Sequence, residues 1–304
     1  MHYRLSIFCN SGNCEECATA RRARRSSAFR VVQGMRTLGA ALVLGAALTA
    51  LPVTSASAAP TWAPAATAQV HPGVQTSTGG QQCTANFVFT DSAGDVYLGQ
   101  SAHCASTSGP TVTNGCQAGT FPVGTQVTVG GATRPGTMVY NSWGAMKAAG
   151  ENASTDVCRY NDFSLVKLDP ADYGRVNPSV PFWGGPQALA TGAESFTEVY
   201  TYGNSSLRLG ITTLSPKQGY TVNDNPSGTG WTHTVYTVSP GIPGDSGSAF
   251  LDAFGNALGT LSTVGATGAN GVGNLSQELA YLRTHSAFTT LALATGTEQF
   301  APLV

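Results

Sequence analysis

Ser246 lies in a sequence that could make it a nucleophile. The stretch GIPGDSGSAF, residues 241–250, surrounds this serine with glycines, which permit a tight bend and the close approach of a substrate. A serine hydroxyl is a weak nucleophile unless a base removes its proton, and the oxyanion that forms needs preorganised donors. We expect the N–H groups of Gly244 and Ser246 to be those donors. The motif therefore indicates acyl transfer through a serine.

The base would be a histidine, and beyond residue 58 the sequence offers His71, His103, His233 and His285. His103 is favoured because SAHC directly follows a predicted hairpin and the adjacent Cys104 would fix its position. His71 falls in an expected flexible segment, and His285 falls in a predicted helix. His233 alternates with polar residues on a predicted strand, where it could face solvent.

A buried carboxylate would have to orient this histidine. Asp162 opens DFSLVKL, whose apolar residues should draw a strand into the core. Asp156 and Asp169 flank the same run in turn-like settings, and Asp169 precedes a proline. Asp162 is therefore the preferred orienting residue.

Taken in chain order, SAHC, NDFSLVKL and GDSGS resemble the chymotrypsin/trypsin-like serine endopeptidases, over about residues 82–285. The resemblance to the secreted bacterial type implies an all-β fold of two antiparallel β-barrels, with the active site in the cleft between them. It implies peptide-bond hydrolysis through an acyl-enzyme, with His103 as base, Asp162 as orienting residue and Ser246 as nucleophile, and without cofactor or metal. A catalytically silent binding module and an esterase on the same scaffold are the alternatives.

Asp245, the residue before the nucleophile, needs a partner that the animal members of this family obtain from a new N-terminus. No Ile-Val-Gly-Gly sequence follows a basic residue here, and an unpaired buried carboxylate is costly. Bacterial members use an internal arginine, for which Arg208 is the first choice and Arg134 and Arg175 are the alternatives. The sequence also departs from the common GDSGG-Pro pattern, since a serine and an alanine follow GDSG.

By the family's layout, the substrate-binding pocket has its floor at Ser239 and Pro240 and its facing wall at Ser262, Thr263 and Val264. Neither floor residue is acidic, which argues against a preference for Lys or Arg at P1. The Val264 side chain should narrow the slot in favour of small or medium apolar side chains.

Short β-like segments separated by Gly, Pro, Asn and Ser predict antiparallel strands through most of the chain. One hairpin is predicted from Phe87–Thr90 and Asp95–Gly99, around a turn at 91–94. Only SQELAYLRTH near the C-terminus looks helical, with Ser276 as its N-cap. The Pro- and Gly-rich stretch 176–192 divides the strands into a first barrel at 81–185 and a second barrel with the helix at 186–304.

Four cysteines beyond residue 58 suggest two disulfides in an exported protein. Cys83 and Cys104 lie just outside the two ends of the predicted hairpin, which would bring them together. We therefore expect Cys83 to pair with Cys104 and, by elimination, Cys116 to pair with Cys158.

Export is predicted from residues 35–58, where a basic start, a short apolar run and Ala56-Ser57-Ala58 form a signal peptide. Residues 1–34 are interpreted as a mis-assigned start or an extended n-region, and residues 59–80 as a flexible segment. Because residues 1–58 hold 7 of the 15 basic and 2 of the 16 acidic residues, 8 basic and 14 acidic residues remain, a net charge of −6. We expect a secreted monomer that acts on peptides or proteins, with no nucleic-acid partner and no membrane partner after processing.

Overall fold

A computed structural model of the protein describes residues 60–109, 111–223 and 228–302. The predicted n-region, the signal peptide and its cleavage site after Ala58 lie outside these ranges. Within them, no helix is both long enough and apolar enough to cross a bilayer.

The first half of the described chain builds one antiparallel sheet. Its first seven strands are β1 (Gln75–Thr78), β2 (Gln81–Thr84), β3 (Val88–Thr90), β4 (Val96–Gln100), β5 (Gln126–Val129), β6 (Gly136–Asn141) and β7 (Ser164–Lys167). Side chains of β5 alternate between solvent and core, whereas β4 in the middle of the sheet is buried throughout, as its apolar sequence requires.

The second half forms a closed antiparallel barrel with the strand order β10-β13-β12-β11-β8-β9. Its strands are β8 (Glu198–Tyr202), β9 (Pro216–Asn223), β10 (Thr232–Thr237), β11 (Ala249–Asp252), β12 (Ala257–Val264) and β13 (Asn270–Asn274). Val199, Val235, Phe250, Leu258 and Val272 belong to its buried apolar core. Closure leaves this sheet without an unpaired edge.

A last strand, β14 (Ala292–Leu293), returns to the first sheet and pairs with β3. The first sheet therefore has eight strands in the order β14-β3-β4-β7-β6-β5-β1-β2 and forms a half-barrel. The predicted all-β fold of two antiparallel barrels is confirmed, with the first of them present as an open half-barrel. The second unit, expected to include everything from residue 186, does not include β14.

Three α-helices accompany the strands in the described ranges: α1 (Ser142–Ala149), α2 (Asp156–Tyr160) and α3 (Leu275–Thr284). Leu275, Leu279 and Leu282 of α3 pack into a core cluster with residues of both units, including Phe163 and Leu251. The predicted C-terminal helix is present, and this shared core joins the half-barrel to the barrel.

Two local predictions need correction. Residues 59–80 were expected to be a flexible segment, but their described part contains β1, which pairs with both β2 and β5. Ser276 was expected to cap α3, but the cap is Asn274, whose side-chain oxygen accepts hydrogen bonds from the N–H groups of Ser276 and Gln277. The predicted hairpin is confirmed, with Phe89 opposite Tyr97.

Candidate active site

The antiparallel pairing of β4 with β7 brings His103 and Asp162 together. Gln100 at the end of β4 lies opposite Ser164 at the start of β7, so the residues just beyond Gln100 face those just before Ser164. His103 lies in a 3₁₀ turn after β4, and Asp162 immediately precedes β7. The main-chain N–H of Ala102 donates to the carbonyl oxygen of Asp162 at 3.1 Å, which joins the two segments directly.

Both oxygens of the Asp162 carboxylate accept hydrogen bonds from His103. The main-chain N–H of His103 donates to Oδ1 at 2.8 Å, and ring Nδ1 lies 2.6 Å from Oδ2. Since a carboxylate only accepts, the proton of this second bond belongs to Nδ1, and Nε2 is the basic nitrogen of the neutral ring. The His103 side chain is 27% exposed, whereas that of Asp162 is only 5% exposed. The pair therefore has the tautomer and the access that a general base needs.

The charge environment also adjusts the basicity of His103. Burial of the imidazole lowers the pKa of His103. The charge of Asp162 and the hydrogen bond to it raise that pKa, and together they outweigh the effect of burial. The result is a pKa above the ordinary value of 6.5.

Ser262 makes a contact that its sequence context does not predict. Its hydroxyl donates to Asp162 Oδ2 at 2.6 Å, although we predicted Ser262 as part of the substrate-binding wall. Ser262 does line the cleft, but its hydroxyl is used to orient the carboxylate. No local sequence signal indicates this contact, because it joins positions 100 residues apart.

The Cys83–Cys104 disulfide fixes the position of the His103 turn. It links β2 to the 3₁₀ turn, with Cα atoms 6.0 Å apart, and the Cys116–Cys158 disulfide is also present. Both predicted pairings are confirmed. Cys83, Cys104 and His103 lie close enough together to suggest metal ligands, but both sulfurs belong to the disulfide and are not thiolates.

The loop that carries Ser246 is held against the half-barrel by β2. The Thr84 hydroxyl donates to the carbonyl oxygen of Gly244 at 2.7 Å, and the Thr84 N–H donates to that of Ser246 at 2.8 Å. Gly247 has a φ of 87°, and a Cβ built there would lie 2.5 Å from the carbonyl oxygen of Thr84. Only glycine permits this bend and this approach, which explains the glycine after the serine.

The two expected oxyanion donors are available. Neither the Gly244 N–H nor the Ser246 N–H donates a hydrogen bond within the described part of the chain. The hydroxyl of Ser246 also forms no hydrogen bond with any described residue. In resting sites the hydrogen bond between nucleophile and base is often long and shortens in the substrate complex.

Asp245 lies at the centre of a buried ionic cluster. Arg208 donates from both terminal nitrogens, one to each carboxylate oxygen, at 2.6 Å. Arg208 is thus confirmed as the partner of Asp245, while Arg134 and Arg175, the alternatives, pair with Asp169 and Asp172.

Lys217 is a second cation that contacts Asp245, and the sequence did not predict this contact. Its Nζ lies 2.9 Å from Asp245 Oδ2 and 3.1 Å from the carbonyl oxygen of Pro240. Burial raises the pKa of Asp245, but the hydrogen bond from Arg208 and the charge of Lys217 bring that pKa below its usual value. Burial lowers the pKa of Lys217 despite the nearby carboxylate. The cluster lets the loop before Ser246 fold without a newly cut terminus.

His103, Asp162 and Ser246 line one cleft of about 720 Å³. Thr263, Val264, Gly241 and Ile242 line this cleft, whereas Ser239 and Pro240 are exposed and are not among its lining residues. The carbonyl of Pro240 accepts a hydrogen bond from Lys217, and a pocket floor at Ser239 and Pro240 stays a prediction. A Cβ built on Gly241 would lie 2.7 Å from Leu261 Cδ2 and 3.1 Å from Val264 Cγ2, so these two side chains pack closely against Gly241.

Comparison with family models gives no match, and comparison with curated proteins gives none. Solved structures are similar to this chain at low identity. Thermobifida fusca protease A is 17% identical (75% of this chain and 99% of that chain, TM-score 0.49). Nocardiopsis protease is 18% identical (74% and 98%, TM-score 0.46), and Cellulomonas bogoriensis chymotrypsin is 18% identical (67% and 90%, TM-score 0.41).

The strand order decides the architecture: an antiparallel half-barrel, a closed six-stranded barrel and a C-terminal helix, with the cleft lined by residues of both units. The fold is chymotrypsin-like. In the chymotrypsin-like fold of this chain, the half-barrel supplies His103 and Asp162, and the barrel supplies Ser246.

Proposed function

We propose that the protein is a secreted serine endopeptidase that acts through Ser246, His103 and Asp162. The observation that carries the proposal is the hydrogen-bonded pair of Asp162 and His103, which shares one cleft with a serine on a glycine-rich bend. The free N–H groups of Gly244 and Ser246 add the donors that a developing oxyanion requires.

In the first half of the reaction, His103 Nε2 takes the proton of the Ser246 hydroxyl while Oγ attacks the scissile carbonyl carbon. The carbonyl oxygen becomes an oxyanion, which the Gly244 and Ser246 N–H groups stabilise. Asp162 remains ionised and stabilises the imidazolium. When the tetrahedral intermediate collapses, the C–N bond breaks and His103 returns its proton to the leaving amine.

In the second half, His103 takes a proton from water, and the resulting hydroxide oxygen attacks the acyl-enzyme. Collapse breaks the bond to Ser246 Oγ, which recovers a proton from His103. His103 therefore accepts and returns the proton in each half of the reaction, and the free enzyme is regenerated.

We further propose that the P1 side chain is small or medium-sized and apolar. Leu261 and Val264 narrow the slot beside Gly241. Asp162 is the only acidic residue lining the described cleft, and it already binds His103 and Ser262. A Lys or Arg side chain would therefore enter the cleft without a carboxylate to pair with.

The two disulfides and the signal-peptide sequence support export, and we propose that the secreted form begins near Ala59. We propose a monomer that takes peptide or protein substrates.

The decisive experiment uses protein secreted from cells that express the full chain. It compares casein with a nitrophenyl ester, each with and without a serine-directed inhibitor, and includes Ser246→Ala as the matched control. Casein cleavage that the inhibitor and Ser246→Ala both abolish would support the proposal. Hydrolysis of the ester alone would favour an esterase. A wild type that neither reacts with the inhibitor nor cleaves either substrate would favour a binding module.

A further inference from the structure

Glu278 is a buried carboxyl group that the proposed mechanism does not use. It lies in the first turns of α3 and is fully buried. It forms no ion pair with any described residue. Its Oε1 lies over Gly273 of β13, where a built Cβ would come within 2.6 Å of it, so any other residue at 273 would crowd the carboxyl. A buried carboxylate without a cation is costly, so its presence needs an explanation.

The partner of this carboxyl is the main chain of Asp162. The N–H of Asp162 donates to Glu278 Oε1 at 3.1 Å, and the carbonyl oxygen of the same residue accepts from Ala102 at 3.1 Å. The peptide groups on both sides of the Asp162 side chain are therefore held, one by the His103 turn and the other by α3. Without Glu278, a buried N–H would lose its acceptor next to the carboxylate that orients His103.

The charged and titratable groups around Glu278 favour its neutral form. Asp162 faces it from the start of β7, and β12 and β13, which pack on α3, contain no titratable side chain. Tyr140 at the end of β6 and Tyr281 on α3 are the neighbouring phenols, and Tyr281 donates to Glu151 at 3.1 Å. Burial raises the pKa of Glu278, the hydrogen bond from the Asp162 N–H lowers it, the Asp162 charge raises it again and the nearby Thr260 hydroxyl lowers it. The resulting pKa is about 8.

We propose that Glu278 is a positioning residue for the Asp162–His103 pair and that it acts with its carboxyl protonated. The inference rests on the proposed function, because it takes Asp162 as the residue that orients the catalytic base. A protonated Glu278 accepts the Asp162 N–H through Oε1 without placing a second negative charge behind that carboxylate. When it ionises, Oε1 still accepts the Asp162 N–H, but no cation among the described residues balances the charge. Repulsion between the two buried carboxylates then displaces Asp162 from its position beside His103.

The test compares the wild type with Glu278→Gln, which keeps an acceptor but cannot ionise, and Glu278→Leu, which has no acceptor. Glu151→Leu is the matched control, since it removes a different contact to α3 and leaves Asp162 untouched. One measurement is the pH dependence of kcat and KM with an ester substrate, from about pH 5 to 10. The other is the proton NMR signal of His103 Nδ1–H, which requires no turnover.

We expect Glu278→Leu to lower kcat on the order of tenfold at nearly unchanged KM, because a buried N–H has lost its acceptor. The same variant should move the His103 Nδ1–H signal. Glu278→Gln should restore kcat at neutral pH, and it should lack the decline that we expect of the wild type above about pH 8. Glu151→Leu should behave like the wild type in both measurements.

A folded Glu278→Leu that matches the wild type in kcat and in the NMR signal would overturn the proposal. Persistence of the alkaline decline in Glu278→Gln would also overturn it, and this comparison decides the matter if Glu278→Leu does not fold. If the wild type shows no activity at all, the proposed function fails separately. The His103 signal then still decides: an unchanged signal in both Glu278 variants across the pH range refutes the positioning role, and a displaced signal supports it.

Discussion

Arg208 binds both oxygens of Asp245, each at 2.6 Å, immediately before Ser246 in the chain. Removing one partner of a buried ion pair typically costs about 3–5 kcal/mol. We expect Arg208→Ala to destabilise the protein toward the lower end of that range, because Lys217 still neutralises Asp245. The loss of activity should exceed what the loss of folded protein accounts for, since the displaced loop carries Gly244 and Ser246.

Arg134→Ala is the matched control for this measurement. Its pair with Asp169 is long, at 3.6 Å, and the Arg134 side chain is 65% exposed. Exposed pairs of this kind contribute about 0–1 kcal/mol. The denaturant midpoint and the rate at which a serine-directed inhibitor reacts with Ser246 should therefore both stay near their wild-type values. Equal effects of the two substitutions would show that the Asp245 cluster does not organise the loop.

The catalytic residues should differ in their contributions. Ser246→Ala and His103→Ala should each lower kcat by about 10⁶-fold, because nucleophile and base act as a unit. Asp162→Asn should cost about 10⁴-fold, since the amide favours the wrong tautomer of His103. Steady-state kinetics on one peptide substrate checks all three, and wild-type turnover by Ser246→Ala would refute the assignment.

The activity should depend on pH through His103. The imidazole must be neutral to take the serine proton, and its pKa lies above 6.5. As pH falls through that raised pKa, kcat/KM should fall, so the acid limb lies at a higher pH than for a free imidazole. The stability contributed by the protonated pair has the opposite dependence: it is complete below 6.5 and is lost as pH rises through the folded-state pKa.

Asp162→Asn provides the control for this profile. Without the carboxylate charge, burial alone acts on His103, and the acid limb should move to lower pH in the residual activity. An acid limb at the same pH in both proteins would mean that a group other than His103 controls it.

Val264 should limit the size of the P1 side chain. Its Cγ2 lies 3.1 Å from a Cβ built on Gly241, so Val264→Gly should open the slot. We expect kcat/KM for a P1 Phe substrate to rise about 10-fold relative to P1 Ala, as expected for a few buried methylene groups. Thr263→Ser, which alters a neighbouring wall residue only slightly, serves as the control. An unchanged ratio would place the limit elsewhere in the cleft.

The sequence allowed the principal site residues to be predicted because acyl-transfer chemistry restricts residue type, and a family resemblance supplied their order. Lys217 could not be found in this way. Its segment, PKQGY, reads as an ordinary strand, and its contact with Asp245 joins positions 28 residues apart. The pocket floor is hard to place from sequence for a related reason, since a loop between strands has no periodic pattern to fix its register.

Other misses did have local signals. Asn141 caps α1 and Gly150 ends it with a positive φ of 71°, a pattern typical of helix boundaries. Likewise Gly79 and Gly80 both have positive φ, at 58° and 87°, and join β1 to β2 by a two-residue turn. A Gly-Gly pair between polar strands is a recognised hairpin signal, and it would have predicted β1.

The pairing of β14 with β3 has a consequence for how the protein folds. Phe89 lies opposite Leu293, so the half-barrel obtains its edge strand only after about 200 further residues have been synthesised. Such long-range pairing raises the contact order and slows folding, and the hydrogen-bonding groups on the open side of β3 remain uncovered until then. A chain growing on the ribosome thus completes the half-barrel only after the barrel. A truncated chain that ends before β14 would expose the unpaired edge of β3.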